Sequence, residues 1–453
     1  MLNLPTKCYF LNILGHFYPF FFNTTYRMVA FAAVSFAEGI TFGAWLRALA
    51  APVANDGKDT ITSAGNSWGY GARTARINVS AVAPDGNAGF NMGVYNDVTM
   101  SLSAGDEANL WVKPLDIVKV SYGKYDNNTL RGDFCYGSWN WLRPTSSWIA
   151  EDEGLLMSGN GGTGLMAEIT PMENLYIQAM VPITTAQVKA GTTYKNLRGG
   201  FAYTVPGLVK IKGQYIGNGH DKVEEEYKVN GAVVTKDAYD TAKTANAALT
   251  ASGYTASGEA VYATKPSKLD YTEGKDGDSN CALEAEIDVL AVEGLTAGVG
   301  FRYDVVKDGK DKDPTHQKMK AALGVAYQVM PELKVSASGA FFQFYNNDAM
   351  KPRFQAGAGV DYDLGDGLAA NADFRYLSPA KDKDGKKKYT DHMAFSVGVT
   401  KSVSSNGYIG VAFQGQTNCG NFGNTVITGK VKDAGDDPKN FTWCVPVALS
   451  VWF

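Results

Sequence analysis

The feature that most constrains the fold of this chain is a two-residue alternation of apolar and polar side chains, repeated along most of its length. In the segment ITFGAWLRAL, Ile40, Phe42 and Leu46 share one face of an extended chain, while Thr41 and Arg47 share the other. Because successive side chains of a β-strand point to opposite sides, this period predicts strands rather than helices.

Pairs of such segments are joined by very short connections that contain Pro, Asp, Asn or Gly, the residues that tight reversals require. Eight pairs are predicted as β-hairpins, over residues 74–95, 108–124, 164–181, 200–215, 282–303, 319–341, 354–376 and 394–415. With a first strand at Ile40 and a last strand ending at Phe453, they predict about 18 strands, with about 16 as the alternative. Each has roughly ten residues, the length with which a tilted strand crosses a bilayer.

Long connections alternate with the short ones, and the longest cover residues 125–161 and 216–280. A water-soluble sandwich or propeller gives no reason for this sorting, whereas a transmembrane barrel has short periplasmic turns and long extracellular loops. We therefore predict an all-β fold, a transmembrane antiparallel up-and-down β-barrel over residues 38–453.

Charged residues occupy one of the two faces of the predicted strands, and we predict that this face lines a pore. An Arg or Lys facing lipid near the bilayer midplane costs about 2–4 kcal/mol, and a dry core would bury these charges unpaired. The predicted pore-lining residues are Arg47, Arg76, Lys119, Arg198, Lys210, Lys212, Glu284, Glu286, Asp288, Arg302, Arg353, Asp361, Asp373 and Arg375.

The signs of these charges allow two arrangements. Basic residues come mainly from the early strands and acidic residues from later ones, which predicts a basic wall facing an acidic wall across the lumen. In the alternative, each charge pairs with a neighbour on an adjacent strand and keeps the lumen hydrated.

Residues 1–37 are predicted to be a signal peptide with an extended or mispredicted start. Arg27 precedes the apolar run MVAFAAVSFA, and the small residues Ser35 and Ala37 suit cleavage between Ala37 and Glu38. A membrane anchor is the alternative, but Pro19 and other polar or Gly/Pro positions interrupt the apolar stretch that a spanning helix requires.

Composition excludes several classes of function. The net charge is −4 and the pI about 5.7, so the chain lacks the basic surface of a nucleic-acid-binding protein. The four histidines lie in the N-terminal segment or in or beside loops, away from any strand-held Ser or Asp, which predicts no catalytic residues and no enzyme. The five cysteines form no metal-binding motif, so no metal and no cofactor are expected.

The last segment, NFTWCVPVALSVWF, places apolar residues at alternate positions up to an aromatic terminal residue. It resembles the C-terminal assembly signal of bacterial outer-membrane barrels, which the barrel assembly machinery recognises. Val447, Leu449, Val451 and Phe453 occupy the signal positions. Pro446 lies inside this strand, where proline is tolerated only if no ladder hydrogen bond is required.

More broadly, the segments ITFGAWLRAL and LWVKPLDIVKVSYGKYDNNTLRG resemble spirochaete outer-membrane porin-like proteins. The resemblance implies a homotrimer in contact with outer-membrane lipid. In bacterial porins the loop after the fifth strand folds inward, and residues 125–161 take that place here. Its candidate constriction residues are Arg131, Asp133, Arg143, Glu151, Asp152 and Glu153, with an ordinary surface loop as the alternative.

Two functions follow from this fold. The first is a porin in the bacterial outer membrane, a water-filled channel for passive diffusion of small hydrophilic solutes. The second is an adhesin or structural protein whose long loops bind host or neighbouring proteins. A barrel of about 18 strands encloses a space too wide to fill with side chains, which favours the channel.

Overall fold

The computed structural model describes residues 39–418 and 441–453, apart from residues 56, 58, 67–72, 98–101, 126–128, 133–156, 160, 184–188, 250, 255–259, 263, 276, 307–316, 346, 347 and 349. The predicted signal peptide and its cleavage site, Ala37 and Glu38, lie outside the described residues.

The first half of the chain forms strands that pair in sequence order, with one short helix between β8 and β9. The elements are β1 (Ile40–Asn55), β2 (Thr60–Asn66), β3 (Arg73–Val82), β4 (Ala88–Asp97), β5 (Leu102–Leu115), β6 (Val118–Tyr125), β7 (Gly162–Met172), β8 (Leu175–Val181), α1 (Ala190–Lys195), β9 (Arg198–Val205) and β10 (Val209–Gly217). The four hairpins predicted here, from β3–β4 to β9–β10, are confirmed.

The long connection after β10 contains folded elements of its own. They are β11 (Glu226–Val229), β12 (Ala232–Val234), α2 (Lys236–Ala247), β13 (Ala251–Tyr254), β14 (Ala260–Tyr262) and β15 (Leu269–Thr272). Strand β11 pairs with β12 and β15 in a three-stranded sheet against which α2 packs, and β13 pairs with β14. We call β11, β12, α2 and β15 the loop unit.

The second half of the chain returns to long antiparallel strands. The elements are β16 (Cys281–Val289), β17 (Leu295–Val305), β18 (Gln317–Met330), β19 (Leu333–Phe344), β20 (Arg353–Gly365), β21 (Leu368–Leu377), β22 (Ala380–Lys381), β23 (Lys387–Tyr389), β24 (His392–Ser404), β25 (Gly407–Thr417) and β26 (Phe441–Trp452). The other four predicted hairpins are confirmed, and β22 and β23 pair with each other outside the main sheet.

The main sheet closes into a barrel. It contains 19 strands, and because β2 and β3 both pair with β1 and share one place, the barrel has 18 strand positions. The alternative of about 16 strands is therefore wrong. The strand β26 pairs antiparallel with β1 and completes the ring. Within the described residues, no helix is long and apolar enough to cross a membrane.

The last strand, β26, contains Pro446 and forms the seam of the barrel with β1. The β1–β26 register shifts between Ala50 and Val53, a stretch that contains Pro52, and Pro446 lies opposite this irregularity. The backbone N–H of Trp452 donates to the Asn406 carbonyl beside β25, and that of Phe453 donates to Ala44 of β1. Because these directions alternate along a strand, the missing N–H of Pro446 falls on the β25 side, where the β25–β26 pairing is interrupted between Val411–Val447 and Gln414–Cys444. At the end of the seam, Phe453 exchanges two backbone hydrogen bonds with Ala44, of 2.8 and 3.0 Å.

The two faces of the barrel wall differ sharply in chemistry. On β16, Leu283 and Ile287 are 47 % and 49 % exposed on the outer face, while the intervening Glu284 and Glu286 are buried on the inner face. The same alternation holds on β17 and β21, where Phe301 and Phe374 point outward. The outer face is therefore apolar and the inner face polar.

Aromatic rings cluster on the outer face at the edge where the long connections begin. Phe413 stacks on Trp443 with ring centroids 5.8 Å apart, and Phe395 lies 5.9 Å from Phe413 and 6.2 Å from Phe441. The opposite edge carries tight turns. One of them runs through Asp366, which has a positive φ of 50° between two glycines that also have positive φ.

Candidate functional site

The inner wall formed by β10, β16 and β17 carries a dense group of charged and polar side chains. These strands are adjacent, and their register places Lys212 opposite Glu286 and Gln214 opposite Glu284. Arg302 of β17 lies opposite Glu284 on its other side. Directly opposite side chains on one face have Cβ atoms about 4.5–5.5 Å apart, so ion pairs can form across the strands.

Ion pairs do form along this wall. Lys212 Nζ lies 2.8 Å from a carboxylate oxygen of Glu286 and 3.4 Å from one of Asp288. The guanidinium of Arg302 lies 3.1 Å from a carboxylate oxygen of Glu284. The side chains of Lys212 and Glu286 are 2 % and 0 % exposed, a degree of burial that charges tolerate only when paired. The wall is thus neutralised locally.

The prediction of a basic wall facing an acidic wall is wrong for Lys210 and Lys212. They lie on β10, which pairs directly with the acidic strand β16, because consecutive strands of an up-and-down barrel are neighbours. Other inner charges also pair nearby: Lys119 with Glu168 at 2.7 Å, Arg375 with Asp373 at 3.7 Å, and Arg76 with Glu107 at 3.9 Å. Local pairing, the alternative arrangement, describes these residues.

The described ends of the long connection between β6 and β7 pack against the same wall. We call residues 129–132 and 157–159 the inward segment. Its Leu130 and Met157 are fully buried and pack with Ala202 of β9. Apolar burial at both ends of a long connection means that these residues lie on the wall rather than extending away from it.

Polar contacts fasten the inward segment to the charged wall. The Ser158 hydroxyl donates to Glu284 at 2.5 Å, and the Ser158 backbone N–H donates to the other oxygen of that carboxylate at 3.1 Å. Gln214 Nε2 donates to the Ser158 carbonyl at 2.8 Å, and Lys212 Nζ to the Arg131 carbonyl at 3.3 Å. The carboxylate of Glu284 therefore binds both Ser158 of the inward segment and Arg302. We call this arrangement the Glu284 clamp.

Gly132 permits this close approach. A Cβ at this position would lie 2.0 Å from a carboxylate oxygen of Glu286 and 2.3 Å from the backbone nitrogen of Met157. Neither distance is compatible with a side chain, so the backbone reaches the buried carboxylate only because residue 132 is glycine.

The remaining predicted site residues have separate surroundings. Three are held by backbone carbonyls or a ring: Arg198 by Gly161, Arg353 by Ser378 at 2.8 and 3.0 Å, and Arg47 by the Trp45 ring at 4.5 Å. Asp361 lies across from Lys334 in the register of β19 and β20. Of the constriction candidates, Arg131 is described, whereas Asp133, Arg143, Glu151, Asp152 and Glu153 lie outside the described residues.

An apolar cluster on the inner side was missed by the sequence analysis. Phe342 and Phe344 of β19 are buried with Met350, Leu377 and Ala380 near the long-connection edge. The signal was present in the run AFFQF, where aromatic residues occupy both parities and the alternation breaks down. Such a break is typical of a strand end covered on both faces.

A second polar cluster joins the two ends of the connection between β10 and β16. The His220 ring nitrogen Nδ1 lies 3.0 Å from an Asp278 carboxylate oxygen, and Lys195 of the α1 region donates to the His220 carbonyl at 2.8 Å. Burial alone raises the pKa of Asp278, but hydrogen bonds from the Asn280 backbone and from His220 lower it below its ordinary value. Among the described residues, no group of three His, Cys, Asp or Glu side chains could hold a metal ion.

Comparison with known proteins gives matches at the level of structure. No protein-family model and no curated protein matches the chain. OccK11 (OpdR) of Pseudomonas aeruginosa matches with a TM-score of 0.50 and 8 % identity over 91 % of this chain and 96 % of that one. An anion-selective porin from Comamonas acidovorans matches with a TM-score of 0.42 and 11 % identity over 91 % of this chain and 99 % of that one. OmpT of Vibrio cholerae matches with a TM-score of 0.41 and 11 % identity over 92 % of this chain and 100 % of that one. Of these three, the OccK11 match reaches a score that supports a shared fold, a large closed barrel.

Proposed function

We propose that this protein is a porin of the bacterial outer membrane, a water-filled channel for the passive diffusion of small hydrophilic solutes. The observation that carries the proposal is a closed barrel of 18 strand positions with an apolar outside and a charged inside. Barrels of 16–18 strands leave an aqueous channel, whereas barrels of about eight are filled by side chains. Lipid on the outer face and water on the inner face satisfy both surfaces.

The membrane location is supported by the outer face itself. The cluster of Phe395, Phe413, Phe441 and Trp443 lies at one edge of the barrel. Outer-membrane barrels carry aromatic girdles of this kind where lipid headgroups meet the hydrocarbon. Contact with outer-membrane lipid follows from this location. A homotrimer and a spirochaete-type subfamily stay predictions from the sequence resemblance.

The inward segment supports a constriction within the channel. It is fixed to the wall at the middle of β10 and β16, through the Glu284 clamp. We infer that the connection between these ends narrows the pore, with Arg131 and the candidates Asp133, Arg143, Glu151, Asp152 and Glu153 near the narrowest point. The pore-lining role of the fourteen predicted charged residues belongs to the same proposal.

Conductance measurements test the channel. We expect refolded protein in planar bilayers to give discrete conductance steps, and liposomes that contain it to swell in small sugars. A folded, membrane-inserted protein without conductance would contradict the proposal. It would favour the alternative of an adhesin or structural protein, which assays of loop-dependent binding would then examine.

The predicted assembly signal is tested at Phe453. The proposal is that the barrel assembly machinery reads Val447, Leu449, Val451 and Phe453, and the two backbone hydrogen bonds between Phe453 and Ala44 at the seam support a role for the last residue. A chain that ends at Trp452 should be secreted normally but yield less folded barrel in the outer membrane, measured by heat-modifiable gel mobility. Wild-type barrel levels would contradict the assignment.

The processing proposal concerns the N-terminus. We propose cleavage between Ala37 and Glu38, on the small residues that precede this bond. Mass spectrometry of the protein from outer membranes should find Glu38 as the first residue. Peptides from residues 1–37 on the mature chain would contradict it.

A further inference from the structure

A cavity of about 500 Å³ lies in the inner wall, on the short-turn side of the place where the inward segment is attached. Four of its lining residues carry hydroxyl groups: Thr129, Thr170, Tyr176 and Thr204. Lys210 contributes the one ammonium group of the lining. Pockets that bind small molecules have volumes of about 300–1,000 Å³, so this cavity is large enough for a small solute.

The register fixes the position of the cavity along the barrel. Thr204 lies opposite Lys210, next to the tight turn that joins β9 and β10. The next inward pair toward the barrel middle is Ala202 and Lys212, where the Arg131 carbonyl of the inward segment is bound. The cavity therefore lies between the inward segment and the short turns, outside the Glu284 clamp.

Lys210 differs from the other lysine of its strand. The carboxylate directly opposite Lys210 is Asp288, but Lys212 takes this partner at 3.4 Å, in addition to Glu286 at 2.8 Å. Among the residues that the structure describes, Lys210 forms no ion pair and no side-chain hydrogen bond of its own. Lys210 is therefore a lining residue of the cavity whose charge has no such partner.

Tyr176 lines the cavity with its hydroxyl already engaged. The hydroxyl is already hydrogen-bonded to Glu168 at 2.8 Å and to Gln178 at 3.0 Å, which holds the ring in place. Glu173, in the exposed turn between β7 and β8, also lines the cavity. The lining thus combines one cation, one carboxylate in an exposed turn, threonine hydroxyls, an aromatic residue and the apolar residues Met172, Leu175 and Ala202.

We propose that this cavity is a binding subsite for a small hydroxylated anion of the sugar-acid class, on the short-turn side of the constriction. The ammonium of Lys210 pairs with the carboxylate of the solute, and the hydroxyls of Thr170 and Thr204 exchange hydrogen bonds with its hydroxyl groups. The ring of Tyr176 packs against the C–H face of the solute. The inference rests on the proposed channel and adds the chemical class that it retains.

Gluconate is the probe that tests the subsite, with glucose as the neutral control. In planar bilayers, gluconate should block the wild-type ion current in a concentration-dependent way, while glucose at the same concentration should have a much smaller effect. Lys210→Gln should raise the half-blocking gluconate concentration about tenfold or more, since a hydrogen bond to a charged group is lost. Lys210→Arg should restore most of the block.

Lys334→Gln is the matched control. Lys334 is also the second residue of a strand that follows a tight turn, on the inner parity of β19, but it does not line the cavity. It should leave the gluconate block within about twofold of wild type. An equal loss in Lys334→Gln and Lys210→Gln would mean that overall lumen charge governs the block, and would overturn the subsite.

Titration calorimetry of gluconate into the folded protein in detergent separates the subsite from the channel. Binding that is lost in Lys210→Gln but kept in Lys334→Gln would support the subsite even for a protein without conductance, in which case the porin proposal alone fails. Normal conductance with no gluconate binding and no block would overturn the subsite and leave the porin proposal intact.

Discussion

The two longest connections of the barrel are held in place in opposite ways. The connection from β6 to β7 is fixed at its described ends by buried wall groups, and the side chains of Lys212 and Glu286 beneath it are 2 % and 0 % exposed. The connection from β10 to β16 builds the loop unit from its own residues. There Tyr227 lies 5.0 Å from Tyr271 and 5.3 Å from Tyr239 between ring centroids, and Tyr271 is 46 % exposed.

The difference lies in where each connection finds its polar partners. The inward segment is hydrogen-bonded to Glu284 and Gln214 of the wall. Its position and the shape of the lumen therefore depend on each other. The loop unit finds its acceptor in the residue before β11, where the Glu225 carboxylate accepts from Tyr227 at 2.5 Å and from Tyr271 at 2.9 Å. Changes in the first region should alter conductance, and changes in the second should not.

The largest effect is expected from Glu284→Gln. The change removes the charge that holds Arg302 and weakens both bonds from Ser158, which should lower the free energy that attaches the inward segment by about 2–3 kcal/mol. Single-channel conductance should become larger and noisier.

Asp361→Asn is the control for this prediction. It makes the same charge change on an inner position of β20, four barrel positions away from β16. It should leave the noise at the wild-type level. Quiet, wild-type conductance from Glu284→Gln would mean that the clamp does not position the segment.

A smaller and purely local effect is expected from Tyr271→Ala. The change removes the bond to Glu225 and the ring contact with Tyr227, each worth about 1 kcal/mol in a partly exposed setting. Limited proteolysis within residues 223–275 should accelerate while conductance stays unchanged. Tyr194→Ala, at a tyrosine of α1 that is 66 % exposed, should alter neither. A conductance change from Tyr271→Ala would remove the distinction between the two connections.

The smallest expected effect is a pH dependence of the loop unit. Hydrogen bonds from Tyr227 and Tyr271, acting against burial, hold the pKa of Glu225 below its ordinary value. A lowered folded-state pKa gives stability that is complete above the unfolded value of about 4.3 and is lost as pH falls through the folded value.

Hydrogen exchange of residues 226–234, corrected for the intrinsic rate, should therefore lose protection as the pH is lowered from about 5 to about 3. In Glu225→Gln the protection should be lower at neutral pH and insensitive to pH in this window. An identical profile in both proteins would mean that Glu225 does not hold the unit together.

The barrel was predictable because its signals are local. Alternation and turn residues identified all eight hairpins, and the inner parity of Glu284, Glu286 and Asp288 could be read from their own strand. The ion pair between Lys212 and Glu286 follows from the same local signals, because consecutive strands of an up-and-down barrel are neighbours.

The fastening of the inward segment could not be read in the same way. Ser158 and Glu284 are 126 residues apart, and no periodicity joins a serine in an irregular connection to a particular carboxylate on a strand. The strands of the loop unit were not predicted from the sequence for a related reason. Its strands have only three or four residues, too few for an alternation to stand out.

The bonded end of the seam, where Phe453 pairs with Ala44, has a consequence for how the ring is completed. A one-residue slip of β26 against β1 would exchange its faces, and the apolar outer face would reject it. A two-residue slip keeps the faces and would pass that test, but it would move Phe453 away from Ala44 and leave two residues at the end of one strand without partners. The pairing of the terminal residue with Ala44 therefore marks the correct register, which the apolar pattern alone does not distinguish from an even-numbered slip.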